Sequence, residues 1–177
     1  CGRVFASEFA GEDPPVDDPL VGVEIRVEGT DLITTTNEMG NFRLEPAPAG
    51  RVFVVIDGKT ASNPRPIDAY YPTVGKAFET SAGHETNVGD IYLPLIPPGT
   101  LNDVSEAEVT VAEFTQAVKD ANPALAGTQI LVPPGSLFSD DGTRGGRVGI
   151  SPVPSDRIPG ELPEFLDRKS TRLNSSH

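Results

Sequence analysis

Few side chains in this sequence have the chemistry to catalyse a reaction. The chain contains one cysteine, Cys1, and two histidines, of which only His84 lies outside the C-terminal tail discussed below. Metal clusters require several converging ligands, and a catalytic triad requires a histidine beside its nucleophile. Two of the 26 acidic residues would suffice for a glycosidase, but that site needs a deep, rigid cleft. Short strands joined by prolines do not predict such a cleft, so we expect no enzyme activity and no organic cofactor.

An acidic loop near the N-terminus contains the best candidates for metal ligands. Asp13, Asp17 and Asp18 are clustered within residues 8–18. Carboxylate oxygens are the ligands that calcium prefers, so calcium is the one ion that this loop suggests. The loop lacks the alternating aspartates of a calcium-binding loop, and a solvated acidic surface is the competing interpretation.

Tyr70 and Tyr71 are the only adjacent aromatic pair in the chain, which has no tryptophan. They lie in a long segment, residues 59–77, that is rich in proline and predicts an extended loop. Long loops in compact domains are often functional, and flat aromatic rings are suited to stacking against sugars. The pair is therefore our candidate carbohydrate site, and the alternative is that the tyrosines pack onto the core as a lid.

The elements that would position these residues are short strands. Every second residue between Val21 and Val27 is apolar, which predicts a strand with one buried face. Asn37 and Gly40 predict the tight turn of a hairpin, because asparagine bonds its own backbone and glycine tolerates positive φ. The continuous apolar run over residues 52–56 predicts a strand covered on both faces. Further strands are expected at residues 2–7 and 85–95. The side chains expected to build the core are Val23, Ile25, Phe42, Leu44, Val54, Ile56 and Ile91.

These segments resemble the carboxypeptidase regulatory-like domain, a prealbumin-like sandwich similar to the collagen-adhesin B-type repeats of bacterial surface proteins. The matching residues are Gly2-Arg3-Val4, Pro19-Leu20-Val21-Gly22-Val23-Glu24-Ile25, Thr36-Asn37-Glu38-Met39-Gly40-Asn41-Phe42 and Pro48-Ala49-Gly50. The family usually has aspartate at the position of Asn37. The resemblance covers residues 1–95 and implies a prealbumin-like antiparallel β-sandwich without an active site.

A second, smaller unit is expected over residues 101–166, after a stiff proline linker at residues 96–100. The spacing of Thr110 and Glu113 predicts a helix over residues 111–121. Strands are expected at residues 129–137 and 147–153, with a turn at residues 140–143. Segments at residues 132–135, 149–153 and 159–160 resemble the β-sandwich domain shared by ankyrins and netrin receptors, which implies an interaction module. The predicted fold is therefore mainly β, with one short helix in the second unit.

Both ends of the chain carry separate expectations. Residues 167–177, DRKSTRLNSSH, are similar to the translated reading frame of a sequencing adapter. We therefore treat this tail as non-native and expect the second unit to be truncated. Cys1 is expected to be the cut edge of a fragment, and the alternative is the lipid-bearing cysteine of a processed lipoprotein.

Composition narrows the choice of partners. The formal net charge is −12, which opposes binding to nucleic acid. No apolar run has the roughly 20 residues that a spanning helix requires, so no membrane insertion is expected. We predict a non-catalytic structural or adhesion spacer of a larger extracellular or cell-surface bacterial protein. Its expected partners are neighbouring domains of the same polypeptide, with a polysaccharide or a surface protein as further candidates. The alternatives are a carbohydrate-binding module and an accessory domain of a secreted enzyme.

Overall fold

The structure, a computed structural model, describes residues 1–7, 18–138, 142–154 and 157–158. The chain divides into two compact units. The first comprises Cys1–Asn63, Tyr71–Leu93 and Val153–His177, and the second comprises Pro64–Tyr70 and Pro94–Pro152. Asp13, Asp17, two residues of the predicted turn at 140–143 and the tail at 167–177 lie outside the described residues.

In its described residues, the first unit contains seven strands in two sheets. The strands are β1 (Gly2–Ala6), β2 (Glu24–Val27), β3 (Ile33–Thr35), β4 (Asn41–Phe42), β5 (Gly50–Asp57), β6 (Thr73–Thr80) and β7 (Asp90–Leu93). One sheet has the order β4-β1-β7 and the other has the order β3-β2-β5-β6. β2, β5 and β7 bury alternate side chains, as expected for strands with one buried face. β1 differs, because Val4, Phe5 and Ala6 are all buried. The prediction of a mainly β fold is confirmed.

Most of the predicted core side chains are buried. Val23, Ile25 and Ile56 are completely inaccessible, and Phe42, Val54 and Ile91 are at most 6% exposed. Leu44 differs, because β4 ends at Phe42 and leaves Leu44 half-buried. The prediction for β5 was also wrong in one respect. Its burial alternates, with Val52 and Val54 buried and Phe53 43% exposed, so only one face of β5 is covered.

Three features of the first unit correct the sequence prediction. β1 pairs with β7 in parallel, from Arg3 opposite Asp90 to Ala6 opposite Leu93, so the sandwich is not wholly antiparallel. The turn at residues 37–40 does not close a hairpin, because β3 pairs with β2 whereas β4 pairs with β1 in the other sheet. The expected loop at residues 59–77 ends at Pro72, since Thr73–Thr80 forms β6 and pairs along the whole of β5.

The second unit is built from short antiparallel pairs. Its elements are β8 (Asn102–Asp103), β9 (Thr110–Glu113), α1 (Gln116–Ala121), β10 (Gln129–Val132) and β11 (Arg147–Val148), with a 3₁₀ turn at Pro123–Leu125. β9 pairs with β10, and β8 pairs with β11. The returning strand expected at residues 147–153 is thus shorter than predicted. The segment predicted as a stiff proline linker is hydrogen-bonded inside this unit, because Ile96 and Tyr70 exchange backbone hydrogen bonds at 2.8 and 3.2 Å.

The helix predicted over residues 111–121 begins five residues later. Ala112 is fully buried while Val111 and Glu113 on either side are exposed, which is the period of a strand. The hydroxyl of Thr110 does not cap a helix but accepts the backbone N–H of Ser105 at 2.8 Å. Pairing with β10 therefore overrides the helical spacing in this segment, and only residues 116–121 are helical.

Candidate functional site

The turn at residues 37–40 joins the two sheets of the first unit. The Asn37 side-chain oxygen accepts the backbone N–H groups of Met39 and Asn41, each at 3.0 Å. The backbone N–H of Gly40 donates to the Asn37 carbonyl at 2.9 Å, and Gly40 has φ of +72°. This left-handed conformation is one that only glycine adopts at low cost. The local sequence is therefore sufficient to form this turn.

Gly40 also makes a close approach to β1. The N–H of Val4 donates to the Gly40 carbonyl, and the N–H of Leu20 donates to the Val4 carbonyl, each at 2.9 Å. A Cβ atom added to Gly40 would lie 2.5 Å from the Val4 carbonyl oxygen and 3.2 Å from Pro19. Real Cβ atoms essentially never come that close to a backbone oxygen. The turn is consequently packed against the first strand with no room for a side chain.

A buried hydroxyl holds the strand before this turn. The Thr36 side chain is 4% exposed, and its oxygen accepts the N–H of Val23 at 2.9 Å. The same hydroxyl donates to the Leu20 carbonyl at 2.6 Å. A buried backbone group without a hydrogen-bond partner lowers the stability of the fold. The Thr36 hydroxyl stabilises the first unit because it pairs with one backbone donor and one backbone acceptor.

The parallel pair β1–β7 carries a cross-strand ion pair. Arg3 donates from Nε and from one terminal nitrogen to the two carboxylate oxygens of Asp90, at 2.7 and 2.8 Å. The Arg3 guanidinium also lies 5.2 Å from the centroid of the Phe5 ring, which stacks obliquely on Tyr92 at 6.2 Å. Two-point pairs of this kind fix geometry as well as contributing energy. Sequence analysis missed this pair, because its members are 87 residues apart and their strands were not expected to pair in parallel.

The tyrosine pair does not form an exposed aromatic platform. Tyr71 is 4% exposed and belongs to the core of the first unit. Tyr70 is half-buried, and its backbone pairs with Ile96 in the second unit. A sugar-binding ring needs a free face, and the Tyr71 ring does not present one.

The predicted calcium loop is described only at Asp18. Its backbone carbonyl accepts the N–H of Ala6 at 2.9 Å, which continues the pairing of β1. Among the described residues, no group of three or more histidine, cysteine, aspartate or glutamate side chains is placed to hold a metal ion. Within the same residues, no helix has the length and apolar character needed to cross a membrane.

One cavity of about 480 Å³ opens into the first unit, between β4, β5, β6 and two loops at residues 43–47 and 81–88. Its mouth includes His84, in an exposed turn where the His84 N–H donates to the Ser81 carbonyl at 3.2 Å. The cavity was not predicted from the sequence, although three of its lining residues, Phe42, Leu44 and Val54, were expected to build the core. No signal for it exists in the local patterns, because its residues come from five separate segments.

No family model matches this sequence, and no curated protein or solved structure matches it either. The resemblances noted from the sequence therefore stay predictions.

Proposed function

We propose that this chain is a non-catalytic structural spacer of a larger extracellular or cell-surface protein, in which the first unit resists tension. The parallel pairing of its first strand, β1, with its last strand, β7, is the observation that carries this proposal. The resemblance of residues 1–95 to carboxypeptidase regulatory-like and adhesin repeat domains supports the same role.

The physical argument concerns the direction of force. The chain enters β1 at Gly2 and leaves β7 at Leu93, and in a parallel pair these two points lie at opposite ends of the ladder. Tension between them pulls the strands past one another, so all the hydrogen bonds of the pair are loaded together. Further backbone bonds, Arg3 to Gly89 at 3.1 Å and Ser7 to Leu93 at 3.0 Å, extend this ladder at both ends. The Arg3–Asp90 ion pair adds a side-chain link across it.

Single-molecule pulling of the full chain tests the proposal. Cys1 is the only cysteine, so Leu95→Cys adds one second attachment point just after β7. The matched control is Ala47→Cys, an exposed position beyond β4, which pairs with β1 in the antiparallel sense with Gly2 opposite Phe42. Pulling from Cys1 and residue 47 peels β1 from β4 one bond at a time. We expect a higher unfolding force for the Cys1–residue 95 geometry, and equal forces would refute the proposal.

A second comparison isolates the ion pair. Asp90→Asn removes a carboxylate whose side chain is 17% exposed, and we expect a lower unfolding force in the Cys1–residue 95 geometry. Glu85→Gln is the control, because it removes a more exposed ion pair, with Arg43, that does not connect β1 with β7. An equal effect of both substitutions would contradict a role for the Arg3–Asp90 link under tension.

The carbohydrate-binding alternative loses its principal support, since Tyr71 is buried. A polysaccharide pull-down that compares the wild-type chain with Tyr70→Ala tests whether Tyr70 contributes to carbohydrate binding. Retention that depends on Tyr70 would favour the carbohydrate-binding module over the spacer. The accessory-domain alternative would require a catalytic domain in the same polypeptide.

A further inference from the structure

The cavity in the first unit arises from uneven coverage of β6. This strand lies at the edge of the four-stranded sheet, and its inward-facing residues, Val74, Lys76, Phe78 and Thr80, are all only half-buried. The opposing sheet has three strands, and β4, at its edge, is just two residues long. The inner face of β6 near Phe78 and Thr80 is therefore left open to the cavity.

The floor of this cavity is apolar. Four side chains that are at most 6% exposed form its floor: Val27, Phe42, Val52 and Val54. Leu44, Phe78 and Val88 line it as well and are half-buried, so they retain apolar surface that a ligand would cover. A volume of about 480 Å³ lies within the range of about 300–1,000 Å³ found for small-molecule sites.

The mouth of the cavity is polar and carries charges of both signs. Arg43 donates to Glu45 at 2.9 Å and to Glu85 at 3.1 Å, and this links the loop after β4 with the loop after β6. The N-terminal ammonium of Cys1 also lines the cavity and donates to the Thr86 carbonyl at 2.9 Å. Two carboxylates surround the Arg43 guanidinium. An anionic ligand would have to compete with both carboxylates for the same cation. An uncharged ligand meets no such opposition.

We propose that this cavity binds an uncharged apolar small molecule, with its apolar body against Leu44, Phe78 and Val88. The hydrophobic effect supplies the affinity, because the ligand and these half-covered side chains both lose contact with water. The two cations of the lining are already bonded to protein oxygens, which disfavours ligands that carry a negative charge.

The test uses two fluorescent probes of similar ring structure on the full chain. N-phenyl-naphthylamine is uncharged, whereas anilinonaphthalene sulfonate carries a negative charge. We expect saturable binding of the uncharged probe at one site per chain, and affinity for the anionic probe about tenfold weaker, which corresponds to about 1.4 kcal/mol. Absence of saturable binding of the uncharged probe would overturn the proposal. Equal affinity for the two probes would overturn the charge selection.

Substitutions then locate the site. Leu44→Trp fills the cavity from a half-buried position, and Ala47→Trp does so from an exposed position that does not endanger folding. Both should abolish binding of the uncharged probe. Ile67→Trp is the control, because Ile67 is 87% exposed and does not line the cavity. Glu45→Gln should raise the affinity for the anionic probe and leave that for the uncharged probe unchanged. Binding that survives Ala47→Trp, or that is lost in Ile67→Trp, would show that the site lies elsewhere.

Discussion

Substitution of Gly40 by alanine is the sharpest perturbation that the structure offers. Gly40 is buried, has φ of +72°, and receives the N–H of Val4 on its carbonyl. Alanine at this position meets two separate obstacles. Its backbone must adopt the left-handed conformation, and its Cβ atom must lie 2.5 Å from the Val4 carbonyl oxygen unless the strand moves.

The two obstacles can be given separate magnitudes. The left-handed conformation costs an L-residue about 1–2 kcal/mol. Forcing extra volume into a packed position adds about 1–3 kcal/mol. Relief of the clash by shifting β1 would weaken the bond from Leu20 to the Val4 carbonyl, a net loss of about 1 kcal/mol. We therefore expect Gly40→Ala to lower the free energy of unfolding of the first unit by about 2–5 kcal/mol.

Gly29 provides a matched control within the same unit. Its φ is +75°, almost equal to that of Gly40, but a Cβ atom there would meet nothing within 4 Å. Gly29→Ala should therefore cost only the conformational term, about 1–2 kcal/mol. The difference between the two variants measures the contact with β1 separately from the backbone conformation.

Urea unfolding followed by tyrosine fluorescence is a suitable assay. Two of the three tyrosines, Tyr71 and Tyr92, lie in the first unit, so the signal reports mainly on that unit. If Gly40→Ala and Gly29→Ala lower the free energy of unfolding equally, Gly40 does not pack against β1 as closely as the structure shows. A wild-type stability for Gly40→Ala would refute the placement of the turn itself.

Two further substitutions test packing in the first unit. Thr36→Val should lower the free energy of unfolding by about 2–4 kcal/mol, because it leaves the N–H of Val23 and the carbonyl of Leu20 without their hydroxyl partner. Thr36→Ser keeps the hydroxyl and should retain most of the wild-type stability in urea unfolding. The Phe53 ring occupies the space where a Cβ atom of residue 75 would lie, so Gly75→Ala should displace this ring. A double-mutant cycle of Gly75→Ala with Phe53→Ala should therefore show a coupling energy of about 1 kcal/mol. Retained stability in Thr36→Val, or a coupling of zero in the cycle, would contradict these contacts.

The sequence predicted the class of fold and the inward faces of single strands. Val23 and Ile25 are buried as their spacing indicates, because side-chain alternation is a local property of extended backbone. The apolar run in β5 predicted two covered faces, but only the face that carries Val54 and Ile56 is buried. The same reasoning failed at residues 110–113. There the spacing fitted a helix, but pairing with β10 made the segment a strand.

The candidate sites were predicted less well than the fold. The bonds of Asn37 and the positive φ of Gly40 are in the structure as the turn residues suggested. Tyr71 was predicted as a candidate binding residue, but its side chain is buried. The residues next to an aromatic ring in sequence do not indicate whether the ring faces solvent or the core. The cavity was not foreseen at all. Its lining residues come from separate segments that only the fold brings together, and β4 beside it is just two residues long.

The amino-acid sequence by itself determined that this protein is β-rich, that Val23 and Ile25 face inward, and where the chain turns at Asn37–Gly40. Only the tertiary structure decided that β1 lies parallel to β7, that Arg3 meets Asp90, and that an apolar cavity is left open beside β6. The reason is physical. Alternation and turn conformation depend on neighbouring residues, whereas strand partners are selected by the packing of segments that are up to 87 residues apart.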